Sequence, residues 1–142
     1  MSKIEAKREL HVLAVDDDPY DLDALDEMLE PSGHRLQRVI DGKTALFLIE
    51  RARPDLILLD LNMPGFGGLD VLRALKSNAK FSGIPVIMVS SRMDRDAIVT
   101  ALKLGAVDFL AKPIDQGALE ARLGKLVGER LQKQATQGVA WR

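Results

Sequence analysis

The sequence predicts an α/β domain built on a parallel sheet, and three observations carry that expectation. Short aliphatic runs alternate strictly with amphipathic stretches of helical periodicity, five of each, as in chained strand–crossover–strand units. Residues 12–15, 56–59 and 86–89 are apolar at every position rather than at every second one. That pattern belongs to strands buried on both faces. Finally, four of the five runs end abruptly in a strongly polar residue: Asp16, Asp60, Ser90 and Lys112.

Taken in order, His11-Val12-Leu13-Ala14-Val15 is the first strand, and Asp16, Asp17 and Asp18 follow it. Pro19 suits the first turn of a helix behind an Asp cap. Leu22, Leu25, Met28 and Leu29 recur at helical spacing, so a helix is expected over residues 19–30, stopped by Pro31-Ser32-Gly33. Residues 35–40, with Leu36 and Val39-Ile40, form the second strand and the least apolar one. Asp41-Gly42 turns into a short helix over residues 44–51, closed by Pro54.

Leu56-Ile57-Leu58-Leu59 then runs into Asp60, Asn62, Met63-Pro64 and the glycine-rich Gly65-Phe66-Gly67-Gly68. Leu69, Val71-Leu72 and Leu75 make the third helix, ending near Ser77-Asn78. Residues 85–89 form the fourth strand, ending in Ser90-Ser91. Asp94 caps a fourth helix that stops at Gly105, and residues 107–111 form a fifth strand ending in Lys112-Pro113. Asp115 caps a last helix bearing Leu119, Leu123, Leu126-Val127 and Leu131; beyond Gln132 the composition is polar and fraying is expected. Right-handed crossovers place helices on both faces of the sheet, a doubly wound arrangement.

A chain of 142 residues suits one domain with a real core. Its 46% hydrophobic and 29% charged residues are an ordinary soluble balance, from which a cytoplasmic location is expected. No run nears the roughly 20 apolar residues of a membrane span, and residues 1–9 lack the apolar segment of a signal peptide. The absence of cysteine excludes disulfides, thiolate metal sites and a cysteine nucleophile. A net charge of −1 argues against general attraction to nucleic acid or membrane. The residues from Arg122 onward carry a net +4, leaving −5 on the preceding body.

In a parallel sheet all carboxyl ends lie on one edge, where open α/β sheets bind ligands. Asp16, Asp17, Asp60, Ser90 and Lys112 therefore converge. Asp alone at such a place can simply begin a turn, but crowded carboxylates repel one another unless a cation joins them. An all-oxygen donor set favours Mg²⁺. Lys112 adds a fixed positive charge and Ser90 a hydroxyl donor, which suits a tetrahedral oxyanion. His11 lies within a strand and His34 in a loop, so no Ser-His-Asp set forms. Neither a G-x-x-x-x-G-K-[ST] loop nor a G-x-G-x-x-G turn occurs. Carboxylates, Mg²⁺, a lysine and a serine without a general base suit phosphoryl transfer to an aspartate, where positioning and charge neutralisation do the work.

Val15-Asp16-Asp17-Asp18-Pro19, Leu59-Asp60-Leu61-Asn62-Met63-Pro64, Val89-Ser90-Ser91 and Phe109-Leu110-Ala111-Lys112-Pro113 together resemble the receiver domain of two-component response regulators. The resemblance spans residues 11–127 and implies a flavodoxin-like (βα)5 domain over residues 10–128 with strand order 2-1-3-4-5. Residues 129–142 are then a helical extension, tail or linker. By the same resemblance Asp60 accepts a phosphoryl group from a phosphohistidine on a sensor histidine kinase or histidine phosphotransfer protein. Asp17 binds Mg²⁺ directly, Asp16 mainly through water, and the Asn62 carbonyl and Asp60 complete the set. Lys112 pairs with the phosphoryl group, and Ser90 and the N–H groups of Asn62 and Ser91 donate to it. Phe109, otherwise readable as plain core, is the aromatic partner of Ser90 in switching the face of the fourth helix, fifth strand and fifth helix. The Lys112-Pro113 bond is expected to be cis.

Some positions depart from that pattern. Gly67 stands where Asp, Asn or Ser is more usual, implying a looser loop, and Ser91 replaces a smaller residue and narrows access to Asp60. Asp108 and Arg122 match one charge pair of DNA-binding members, whereas Ile98 and Ala118 do not match another. The unmatched pair weakens the expectation of those members' style of dimer; a homodimer through that face or through the C-terminal helix is one alternative, and no direct nucleic-acid binding is expected. Two rivals use the same residues: an aspartyl phosphatase of the haloacid dehalogenase type, with Asp16 as nucleophile in a D-x-D motif, and a pseudo-receiver that is never phosphorylated. With no effector sequence within it, the chain reads as a single-domain regulator or the N-terminal part of a longer one.

Overall fold

The computed structural model describes residues 9–92 and 94–140. Five strands, β1 (His11–Val15), β2 (Arg35–Val39), β3 (Leu56–Asp60), β4 (Val86–Ser90) and β5 (Asp108–Ala111), form one sheet in the order β2-β1-β3-β4-β5. Every pairing is parallel; Val15 stands opposite Val39 on one side and Leu59 on the other, and Asp60 opposite Val89. The helices are α1 (Pro19–Leu29), α2 (Gly42–Arg51), α3 (Gly68–Lys76), α4 (Arg95–Leu104) and α5 (Gln116–Ala140).

The alternation of side chains along each strand divides the core between two faces. Leu13, Val15, Ile57, Leu59, Val86 and Met88 pack on α2, α3 and α4 through residues such as Ile49, Leu72 and Ala101. Val12, Ala14, Leu56, Leu58, Ile87 and Val89 pack on α1 and α5 through Leu22, Leu25, Leu119 and Leu123. Both faces of β3 are covered, so all five of its residues, Asp60 included, are buried.

Local chemistry sets the helix boundaries. Asp18 accepts from the Tyr20 N–H, with Pro19 opening α1, and Asp94 accepts from the Ala97 N–H to open α4. Asp41 takes the Thr44 N–H at 2.8 Å, so α2 starts at Gly42, two residues before the expected Thr44. The end of the first expected helix tightens into a 3₁₀ turn, Glu30–Ser32, closed by Gly33 at φ 76°. Gly105, at φ 115°, stops α4 as expected. The last helix continues past Gln132 to Ala140, through the stretch whose polar composition predicts fraying. The fraying expected of the final residues falls partly on 141–142, outside the described residues.

Candidate functional site

The carboxyl ends of β1, β3, β4 and β5 bring the polar residues together. Asp16 and Asp60 are 3% and 4% exposed and Ser90 is fully buried, the buried polar side chains of the described residues. Asp17 is exposed beside them, and oxygens of Asp16, Asp17 and Asp60 all lie within 4.8 Å of one another. Lys112 reaches in from the end of β5. Its Nζ stands 2.7 Å from Asp16 Oδ2, 2.8 Å from Asp21 Oδ2 and 3.5 Å from Asp60 Oδ2.

Each group is held by its own loop. The Asp18 N–H donates to Asp16 Oδ1 at 2.9 Å, so both oxygens of Asp16 are engaged. The Asn62 N–H donates to Asp60 Oδ1 at 3.0 Å, and its side-chain amide donates to Ser90 Oγ. Ser90 also donates to the Arg92 carbonyl and accepts from the Arg92 N–H, both at 3.0 Å. Its hydroxyl is therefore turned toward its own loop. Ser91 is exposed and Phe109 half-buried against the α2–α4 side of the core. The Lys112-Pro113 bond is cis.

Glycines permit the tight approach of the following loop. Gly65 takes φ 68° in the turn after β3, a conformation costly for other residues. A Cβ on Gly68 would lie 2.3 Å from the Asp60 carbonyl oxygen, so α3 begins directly against the end of β3. Gly67 lacks a capping side chain, yet its N–H is tied to Asp70 Oδ2 at 2.9 Å and it is buried. The loop expected to be looser is thus fastened from the helix side.

The electrostatics call for another cation. Burial raises the pKa of Asp16 to about 6, with the Asp60 charge adding to the effect, while bonds from Lys112 and the Asp18 N–H oppose it. Burial also works against the Lys112 ammonium, but bonds to Asp16 and Asp21 and the charges of Asp60 and Asp16 outweigh it and hold its pKa above the ordinary lysine value. One ammonium faces several carboxylates drawn from the Asp16, Asp17, Asp60 set and Asp21. The all-oxygen donors and excess negative charge fit a divalent hard cation. Asp17 is the member of the set open to solvent, and Asp16, with both oxygens bonded, suits a role through water.

Asp21 is the residue that the sequence did not point to. It lies in the first turn of α1, three residues after the cap Asp18, where an acid ordinarily complements the helix dipole. Its carboxylate shares Lys112 with Asp16, a contact 91 residues away in sequence that its first-turn position does not signal. His11 and His34 stay away from the site: the His11 N–H donates to Asp55, and His34 Nδ1 accepts from the Leu10 N–H.

Comparison with known proteins agrees with this geometry. A family model described as the response regulator receiver domain matches residues 12–124. The chain is 38% identical over 112 residues to the DNA-binding response regulator MtrA of Mycolicibacterium smegmatis, covering 79% of this chain and 48% of that protein. It is 36% identical over 108 residues to Protein PilH of Pseudomonas aeruginosa, covering 76% and 89%. The chain thus spans about half the length of MtrA but most of PilH. Among solved structures, the receiver domain of a sensor histidine kinase from Pseudomonas aeruginosa, with a magnesium ion coordinated in its active-site cleft, superposes with a TM-score of 0.77 at 28% identity. That match covers 84% of this chain and 98% of that one.

Proposed function

This chain belongs to the response regulator receiver family, and from that premise we propose that Asp60 is its phosphoacceptor in a cytoplasmic two-component phosphorelay. The observation that carries the reading is the position of Asp60: a buried carboxylate at the end of the central strand, 3.5 Å from the ammonium of the partly buried Lys112. An Asp60 oxygen attacks the phosphorus of a phosphohistidine on a histidine kinase or phosphotransfer protein. The new O–P bond forms as the P–N bond breaks, and the imidazole leaves with the electron pair.

The other residues position and neutralise. Asn62 already orients the acceptor through its N–H on Asp60 Oδ1. Lys112 offers its ammonium to the phosphoryl oxygens, joined by the N–H groups of Asn62 and Ser91 and, after rotation, by the Ser90 hydroxyl. Asp17, the Asn62 carbonyl and, through water, Asp16 would hold Mg²⁺, which neutralises phosphoryl charge when bound. Inward movement of Ser90 leaves space for Phe109, coupling the site to the face of α4, β5 and α5. On that face Arg122 is ion-paired to Asp108, and Val99, Leu102 and Val107 are exposed, which supports its use as a contact surface for a second copy.

The domain is assigned residues 10–128, with residues 129–142 as its helical extension. No nucleic-acid contact is assigned to the domain, since residues 10–128 hold 14 basic and 18 acidic side chains, a net charge of −4; the DNA binding in MtrA's name belongs to a protein about twice as long. Among the described residues no helix is long and apolar enough to cross a membrane. A small acyl-phosphate donor with Mg²⁺ is expected to label one site, and Asp60→Asn to abolish the label. Peptide mapping distinguishes this from the phosphatase reading, in which the phosphoryl group resides on Asp16; label persisting in Asp60→Asn overturns the assignment.

A further inference from the structure

We propose that Asp21 is a positioning residue that withholds Lys112 from the phosphoacceptor, so that this carboxylate restrains the rate at which the domain is phosphorylated. The inference rests on the reading of Asp60 as acceptor and Lys112 as its phosphoryl partner. Lys112 Nζ has three N–H donors, and the structure engages it at hydrogen-bond distance with Asp16 and Asp21, at 2.7 and 2.8 Å. Asp60 Oδ2, at 3.5 Å, lies beyond that distance. The ammonium is thus drawn to the α1 side of the cleft, away from the carboxylate that reacts.

Asp16 belongs to the acidic set at the strand ends, but Asp21 does not. Its oxygens are absent from the group of Asp16, Asp17 and Asp60 that can share an ion, and its carboxylate accepts from the Lys112 ammonium. Its carboxylate therefore competes with an incoming phosphoryl group for the same donor. Asp16, Asp21, Asp60 and Lys112 all line one cavity of about 80 Å³, so the competing carboxylate and the acceptor flank the same ammonium. Lys112 is 13% exposed and Asp21 39%, so the pair is screened on the Asp21 side and its effect is graded rather than absolute.

The test compares wild-type protein, Asp21→Asn, Lys112→Gln and the double variant, using acetyl phosphate with saturating Mg²⁺ and 31P NMR detection of the aspartyl phosphate. Asp21→Asn is expected to phosphorylate about two- to fivefold faster, the range of a partly exposed ion pair. That gain should vanish in the Lys112→Gln background. In the unphosphorylated protein, the Lys112 side-chain ammonium resonance should shift on Asp21→Asn, a response that simple loss of helix-dipole stabilisation would not produce. An unchanged or slower rate in Asp21→Asn overturns the proposal, as does an equal gain with and without Lys112, which would mark a general field effect. If wild-type protein takes no label on Asp60, it is the phosphoacceptor reading that fails. If Asp60 is labelled and Asp21→Asn gains nothing, only the role of Asp21 fails.

Discussion

The side-chain amide of Asn62 donates to the hydroxyl of Ser90, bridging the loop after β3 to the end of β4. Two residues assigned to one phosphoryl site therefore hold each other in the unphosphorylated state, and Ser90 is further tied to Arg92. A switch through Ser90 must break these bonds, and a phosphoryl group supplies acceptor oxygens to replace them. Beryllofluoride, a phosphoryl mimic, is expected to shift the amide resonances of Ile98, Ala101 and Phe109 in wild-type protein and to leave them in place in Ser90→Ala. Shifts confined to the Asp60 pocket in both proteins would show a domain that binds the mimic without switching.

Metal affinity should depend on Asp17 above all. Asp16 has both oxygens bonded within the protein, whereas Asp17 is exposed at the edge of the acidic set. Losing even an outer partner of a metal ligand costs about 10- to 100-fold in affinity, so Asp17→Ala is expected to weaken Mg²⁺ binding by about tenfold or more. Calorimetric titration in the absence of any phosphoryl donor reads this directly, and an unchanged dissociation constant would place the cation elsewhere.

Two glycines in helices should respond oppositely to alanine. A Cβ at Gly68 would stand 2.3 Å from the Asp60 carbonyl oxygen, a rigid backbone atom, whereas nothing lies within 4 Å of a Cβ at Gly124. Gly68→Ala is expected to destabilise by about 1–3 kcal/mol through overpacking. Gly124→Ala is expected to stabilise by about 0.5–1 kcal/mol through helix propensity. Urea denaturation of both variants checks the pair; equal changes in both would mean that α3 does not press against β3 as described.

Among the described residues, Arg130 ties the extension beyond residue 128 to the body. Arg130 pairs with Asp55 at 2.8 Å, both side chains being less than one-third exposed. Deleting residues 129–142 is expected to cost about 1 kcal/mol of stability, and Arg130→Ala to reproduce most of that loss. Phosphorylation of Asp60 should survive the deletion. A concurrent loss of self-association, read by sedimentation, would assign pairing to the extension; stability unchanged by both variants would show that the ion pair contributes nothing.

Most of the fold was legible because a parallel sheet covered on both faces demands unbroken apolar strands, and residues 12–15, 56–59 and 86–89 meet that demand without relying on distant contacts. The candidate site was legible for the same reason: with every strand pointing one way, the first polar residue after each run must arrive at one edge. Asp16, Asp60, Ser90 and Lys112 could thus be grouped from one-dimensional order, and Asp18 and Asp94 could be read as caps because a cap acts only on its next few residues. Element ends were less legible. Asp41 starts α2 earlier than the apolar pattern, and α5 outlasts its polar turn of composition.

Only tertiary structure decided which partner each polar group takes. Asp21 looks like any acid in a first helical turn until the end of β5, 91 residues later, brings Lys112 to it. The lysine's preference for Asp16 and Asp21 over Asp60 is a difference of less than 1 Å in distance. The turning of Ser90 toward Asn62 and Arg92 is likewise a choice among neighbours already brought together. Periodicity and residue type determine which edge a side chain reaches, because burial acts on whole strands and helices. They do not determine which of several carboxylates or hydroxyls it meets there, because hydrogen bonds and ion pairs discriminate over tenths of an ångström that the packing of separate elements sets.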